Sequence, residues 1–174
     1  MTGKNFTPFP VLKTERLTLR QLISSDDKEI FALRSDDNVN KYLDRKPSKS
    51  IDDAKNFIET INDNIQRNDS IYWAITLNGT DKLIGTICLF DFSSDNLKAE
   101  MGYELLPDFQ GKGIMQEAIS KVIDFGFQHI GLNSIEAYTH SENQISTRLL
   151  EKLNFKRHSA GEDNLIIFKL TYNG

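Results

Sequence analysis

The chain has 174 residues, 39% hydrophobic and 26% charged, with 21 basic against 25 acidic side chains and one cysteine. A chain this long buries roughly two thirds of its unfolded surface, so a single domain over residues 1–174, with a core from about 15 to 170, needs no metal or disulfide staple. The net charge of -4 argues against a nucleic-acid partner, and the lone Cys88 excludes an internal disulfide and a cysteine-built zinc site, so no metal and a cytoplasmic setting are expected.

Met1 to Lys13 has no continuous apolar stretch long enough for a signal peptide or a membrane span, so no membrane association is expected. Arg16-Leu17-Thr18-Leu19-Arg20 alternates as a half-buried strand does, and Ser24-Ser25-Asp26-Asp27 supplies capping residues for a helix to about Arg34. Lys41 to Lys49 is polar, contains Pro47 and reads as a surface loop able to cover a substrate. Behind Ser50, the residues Ile51, Ala54, Phe57, Ile58, Ile61 and Ile65 recur at three- and four-residue spacing, which predicts an amphipathic helix.

Three strands are expected at 71–77, 82–90 and 97–105, joined by turn residues at 78–81 and 91–96 and therefore antiparallel. Past Pro107 the period changes: Ile114, Ala118, Ile119, Val122, Ile123 and Phe127 share one helical face, and Gly131 ends the run. A strand at 134–139, a helix at 143–153 and a strand at 165–170 complete an α+β chain with a mixed, mostly antiparallel sheet and a β-α-β unit in its second half.

The most informative stretch is Pro107-Asp108-Phe109-Gln110-Gly111-Lys112-Gly113-Ile114-Met115, between a strand and a helix. Glycines let backbone N–H groups converge and the helix N-terminus adds partial positive charge, so this turn suits a diphosphate. Gly-x-Gly spacing is common by chance, so its place in the chain carries the argument. Lys112 is not followed by Ser or Thr, and no Gly-x-Gly-x-x-Gly follows the first strand, so Walker and Rossmann nucleotide sites are excluded.

Gln110 to Met115 resembles the pyrophosphate-binding turn of the GCN5-related N-acetyltransferase (GNAT) superfamily, Arg/Gln-x-x-Gly-x-Gly/Ala, with Met115 in place of the last small residue. The opening Thr14-Glu15-Arg16-Leu17-Thr18-Leu19-Arg20, the strand Ala99 to Leu105, and Asn143-x-x-Ser146 leading to Leu149 through Phe155 are similar to the RimJ/RimL ribosomal-protein acetyltransferase branch. Asn154 replaces that branch's usual glycine, and Asn tolerates the left-handed bend the position needs. The resemblance implies acetyl-coenzyme A as co-substrate, held by Gln110, Gly111, Lys112, Gly113, Ile114 and Met115, with Asn143 on the pantetheine arm and the Leu105 backbone N–H as oxyanion donor.

By strand period, Glu100, Gly102 and Glu104 share one face, opposite Ala99, Met101, Tyr103 and Leu105. The resemblance favours Glu100 over Glu104 as the base or amine-orienting group; the plainer alternative is a solvated strand face. The superfamily's thiolate-protonating tyrosine corresponds to Leu150, which leaves Ser146 as a weak donor or a solvent-facing helix residue. Asn143 is also a good N-cap. His129, His140 and His158 form no convincing constellation, Cys88 reads as a core residue, Tyr72 and Trp73 as packing groups, and Arg148, Lys152, Lys156 and Arg157 as a solvated face.

The expected activity is transfer of acetyl to a primary amine, most readily a protein or peptide α-amine, whose ordinary pKa of about 7.7–8.0 makes its neutral form more accessible than that of lysine. The alternatives are a small-molecule amine acceptor, a non-catalytic coenzyme A-binding module, and a binder of some other phosphate ligand. Nothing in the sequence decides between a monomer and a homodimer.

Overall fold

The computed structural model describes residues 4–43 and 45–174. Eight strands form one sheet in the order β1-β2-β3-β4-β5-β6-β8-β7: β1 (Leu12–Lys13), β2 (Leu17–Arg20), β3 (Ile71–Leu77), β4 (Leu83–Phe90), β5 (Lys98–Leu105), β6 (Ser134–His140), β7 (Lys156–Ala160) and β8 (Leu165–Thr171). Among the described residues, five α-helices accompany them: α1 (Asp27–Ser35), α2 (Asp37–Asn40), α3 (Ile51–Gln66), α4 (Ile114–Phe125) and α5 (Gln144–Lys152). The mixed α+β architecture expected from the sequence is present.

The sheet is covered on both sides. Tyr72 and Trp73 are successive strand residues and so point to opposite faces. Tyr72 meets Phe57 of α3 edge-on with centroids 5.7 Å apart, whereas Trp73 meets Phe125 of α4 at 5.4 Å. This explains why β4 is buried at seven of its eight positions. Trp73 is fully buried, and its indole Nε1 donates to Pro10 O at 2.9 Å, which satisfies the one polar atom that burial would otherwise strand.

Local chemistry sets the helix starts. Ser50 Oγ accepts from Asp53 N at 3.2 Å, and Asp53 in turn accepts from Lys49 N at 2.9 Å, capping α3 where the sequence predicts it. Asp26 is buried and grips Arg20 through two bonds of 2.8 and 2.9 Å, so the Ser24–Asp27 segment ties β2 to α1 as well as starting the helix. The helix expected to run to Gly131 changes to a π-type turn over Gly126–Ile130 and ends at Gly131, φ 88°.

Pairing between β5 and β6 positions the site. These strands are parallel and matched only at Lys98↔Ser134, Ala99↔Ile135 and Glu100↔Glu136. Beyond that rung β5 stays with β4 as far as Gly85↔Leu105, and β6 stays with β8 as far as His140↔Leu165. Each strand keeps its outer partner and loses its inner one, so the sheet opens into a fork.

Candidate active site

One arm of the fork leads into the glycine turn. Gln110 Nε2 donates to Leu105 O at 2.9 Å, tying the turn to the strand end. Gly111 and Gly113 have φ of 75° and 76°, left-handed values that cost an ordinary residue about 1–2 kcal/mol. Gly113 is the N-cap of α4 and no side chain caps the helix, so first-turn amides at Ile114 and Met115 stay open to an anion. Met115 is buried in the hydrophobic core.

The turn is braced from outside. Arg16 Nη1 donates to Lys112 O at 3.0 Å and its Nε to Glu117 Oε1 at 2.8 Å, while Arg16 N donates to Glu117 Oε2 at 2.9 Å. Thr14 Oγ1 also donates to Glu117. Burial pushes the Glu117 carboxyl up, but these donors outweigh it and hold the group below its ordinary value. No local motif announces this brace, because its residues lie about a hundred positions apart.

Backbone alternation fixes the direction of Leu105. Leu106 N donates to Ile84 O at 2.9 Å, so the preceding N–H, that of Leu105, turns from β4 into the fork. An oxygen gaining negative charge there would meet a backbone donor, as an oxyanion site requires.

Glu100 sits on the last shared rung, opposite Glu136. Burial, then the charges of Asp91 and Glu136, raise its carboxyl to about 7. Lys98 Nζ lies 3.4 Å from Glu136 Oε1, so Glu136 has a counter-ion. Glu104, on the same face of β5, is ion-paired with Arg45. Glu100 is therefore the acid in the fork with a carboxyl poised near neutral pH, and Glu104 is occupied. Neither is a plain solvated strand residue.

Tyr42 and Arg45 reach opposite arms of the fork. Tyr42 stacks on His140 at the end of β6 with centroids 5.3 Å apart, and Arg45 reaches Glu104 near the end of β5. Arg45 Nε also donates to Asn40 Oδ1 at 2.8 Å. The surface loop read from the sequence at 41–49 includes Asp44, which lies outside the described residues.

On the other arm, Asn143 caps α5 by accepting from Ser146 N at 3.2 Å. Ser146 Oγ lies 2.5 Å from the Tyr103 hydroxyl, so the serine faces β5. Leu150 is fully buried. Cys88 is buried, its thiol pushed up by burial and directed at Gly102 O at 3.6 Å, which removes it as a nucleophile. His129 stacks on Phe125 and His158 is exposed on β7; neither joins the fork. Arg148, Lys152, Lys156 and Arg157 are solvent-exposed.

Sequence comparison places residues 16–156 within a family model described as an acetyltransferase (GNAT) domain. The chain is 38% identical over 149 residues to an uncharacterized N-acetyltransferase, YoaA, of Bacillus subtilis, covering 86% of this chain and 84% of that one. It is 27% identical over 141 residues to a spermidine N(1)-acetyltransferase of Vibrio cholerae, covering 80% and 79%. In three dimensions it is similar to RimL, a ribosomal L7/L12 alpha-N-protein acetyltransferase in complex with coenzyme A, with TM-score 0.83, 16% identity, and coverage of 94% and 99%.

Proposed function

The chain belongs to the GNAT acetyltransferase family and is an N-acetyltransferase, and from that premise we propose that it acetylates a protein or peptide α-amine. The GNAT fold uses acetyl-coenzyme A, and the uncapped amides at Ile114 and Met115 with the left-handed glycines 111 and 113 fit its pyrophosphate. Gln110 and Lys112 complete that turn, and Asn143 would hold the pantetheine arm. Acetyl-coenzyme A supplies an acetyl group already activated as a thioester.

The observation that carries the roles is that β5–β6 pairing stops at Glu100. Glu100 takes the proton from the incoming ammonium. The Leu105 N–H donates to the carbonyl oxygen as it gains charge, and the Ser146 hydroxyl donates to the departing sulfur. Holding amine and thioester together in the fork supplies much of the rate, because well-oriented groups behave as if at very high concentration.

A base near 7 is matched to an α-ammonium of about 7.7–8.0 and poorly matched to a lysine-like ammonium of about 10.4. That match favours the α-amine. A small cationic amine is the second reading, supported by likeness to the spermidine enzyme and by the acidic cluster Asp91, Glu100 and Glu136. The proposed setting is cytoplasmic; among the described residues, no helix is long and apolar enough to cross a membrane. The test is thiol release from acetyl-coenzyme A with peptides bearing free or blocked α-amines, polyamines and aminoglycosides. Turnover of free-amine peptides that blocking abolishes supports the α-amine; turnover of small amines alone overturns it.

A further inference from the structure

We propose that Tyr103 is a positioning residue for Ser146: its phenol donates to Ser146 Oγ, so that the serine's own proton is aimed into the fork. This rests on the reading of Ser146 as donor to the departing sulfur.

The two hydroxyls come from opposite arms, β5 and α5, and meet at 2.5 Å across 43 residues of sequence. A serine within a helix commonly turns its hydroxyl back to the carbonyl four residues earlier. The adjacent Thr147 does this, donating to Asn143 O at 3.0 Å. Such a bond in Ser146 would spend its proton on Glu142 and leave none for the fork.

Tyr103 supplies the alternative partner. A phenol is a stronger donor than an aliphatic hydroxyl, and a hydroxyl oxygen with two lone pairs accepts it while keeping its own proton free. Burial pushes the Tyr103 phenol up to about 12, so it retains its proton through the working range. Asn143 Oδ1 meanwhile accepts from Ser146 N at 3.2 Å, fixing the serine backbone. With Leu150 packed in the core and the Thr147 hydroxyl spent on Asn143 O, Ser146 is the α5 hydroxyl that this contact turns toward β5.

The test compares wild type with Tyr103→Phe, Ser146→Ala and the double variant. Each is titrated with coenzyme A and with desulfo-coenzyme A, which lacks the thiol, at pH 7 and pH 9. Wild type should favour the thiol-bearing ligand more strongly at pH 9, where the thiolate forms. Each single variant should lose that preference by about 3- to 10-fold, and the double variant should lose no more than Ser146→Ala alone. Turnover of a free-amine peptide should show the same pattern in kcat with the acceptor KM unchanged.

Loss in Ser146→Ala but not in Tyr103→Phe overturns the positioning role and leaves the serine's role standing. Losses that multiply in the double variant also overturn it, because the tyrosine would then act independently. A wild-type preference in Ser146→Ala overturns both readings. Thermal melts of Tyr103→Phe, which keeps the ring, separate a folding defect from a local one.

Discussion

Glu100 and Glu136 face one another on the last rung that β5 and β6 share. Burial, then the negative charges of Asp91 and Glu136, raise the Glu100 carboxyl to about 7, and Lys98 Nζ sits 3.4 Å from Glu136. In its proposed role as base, Glu100 must be deprotonated, so kcat/KM should rise with pH along a limb near 7. Glu100→Gln should abolish that limb and lower kcat by about 10²–10⁴-fold. Glu136→Gln should move the limb to lower pH; a limb unmoved would mean the two carboxyls do not interact.

The same residue affects stability with a definite sign. A carboxyl raised in the folded state favours folding below its unfolded value of 4.5, and that contribution is lost as pH rises through about 7. Glu100→Gln should therefore melt above wild type at pH 8 and converge with it below pH 4.5. Melting curves at the two pH values check this directly.

Arg45 and Glu104 are largely buried, with side chains 17% and 11% exposed. Burial and the nearby Arg45 depress Arg34, while Glu104 offsets them, so one carboxylate serves two guanidinium groups. Glu104→Gln strands both cations and should destabilise by about 1–3 kcal/mol, lowering Tm by about 2–12 °C. Arg45→Gln leaves Arg34 near Glu104 and should cost less. Equal losses in thermal melts would show that Arg34 takes no part.

Gly111 and Gly113 test the turn. Alanine at either should cost about 1–2 kcal/mol for left-handed backbone and raise the KM for acetyl-coenzyme A more than it changes kcat. At Gly113 an added Cβ would also lie 3.4 Å from Arg16 Nη2, whereas at Gly111 nothing lies within 4 Å. Gly111→Asn should be milder than Gly111→Ala, because Asn adopts φ above zero more readily. Steady-state kinetics and melts of the three variants check the ranking.

Glu117 braces the turn through acid-sensitive bonds. Its carboxyl is held below the ordinary value by Thr14 and Arg16 against the opposing effect of burial. That stabilisation is present above the unfolded value of 4.5 and is lost as pH falls through the lower, folded value. Glu117→Gln should thus be less stable than wild type at pH 7, with the gap closing in acid. A gap constant across pH would remove the ionic part of the brace.

Periodicity carried most of the fold: the α3 stripe from Ile51 to Ile65 and the β3–β4–β5 meander are legible because one face of each must be buried. The glycine turn, the Asn143 cap and the left-handed Asn154, φ 71°, are legible too, since each depends on local backbone chemistry. β7 is exposed at all five positions and so has no apolar alternation to read. The Arg45–Glu104 pair, the Arg16–Glu117 brace and the Tyr103–Ser146 contact join residues 59, 101 and 43 positions apart. Only packing brings such residues together, and no short pattern encodes it.

The outer strand β7 also governs how this sheet ends. Lys156 and Arg157 are successive and exposed, so one cation projects from each face, and the register with β8 slips between Arg157 and Ser159. A foreign strand approaching this margin would meet positive charge on either side and a backbone bent out of line, conditions that discourage edge-to-edge growth into fibrils. At the opposite margin β1 offers only two residues, too short a template for the same kind of runaway pairing.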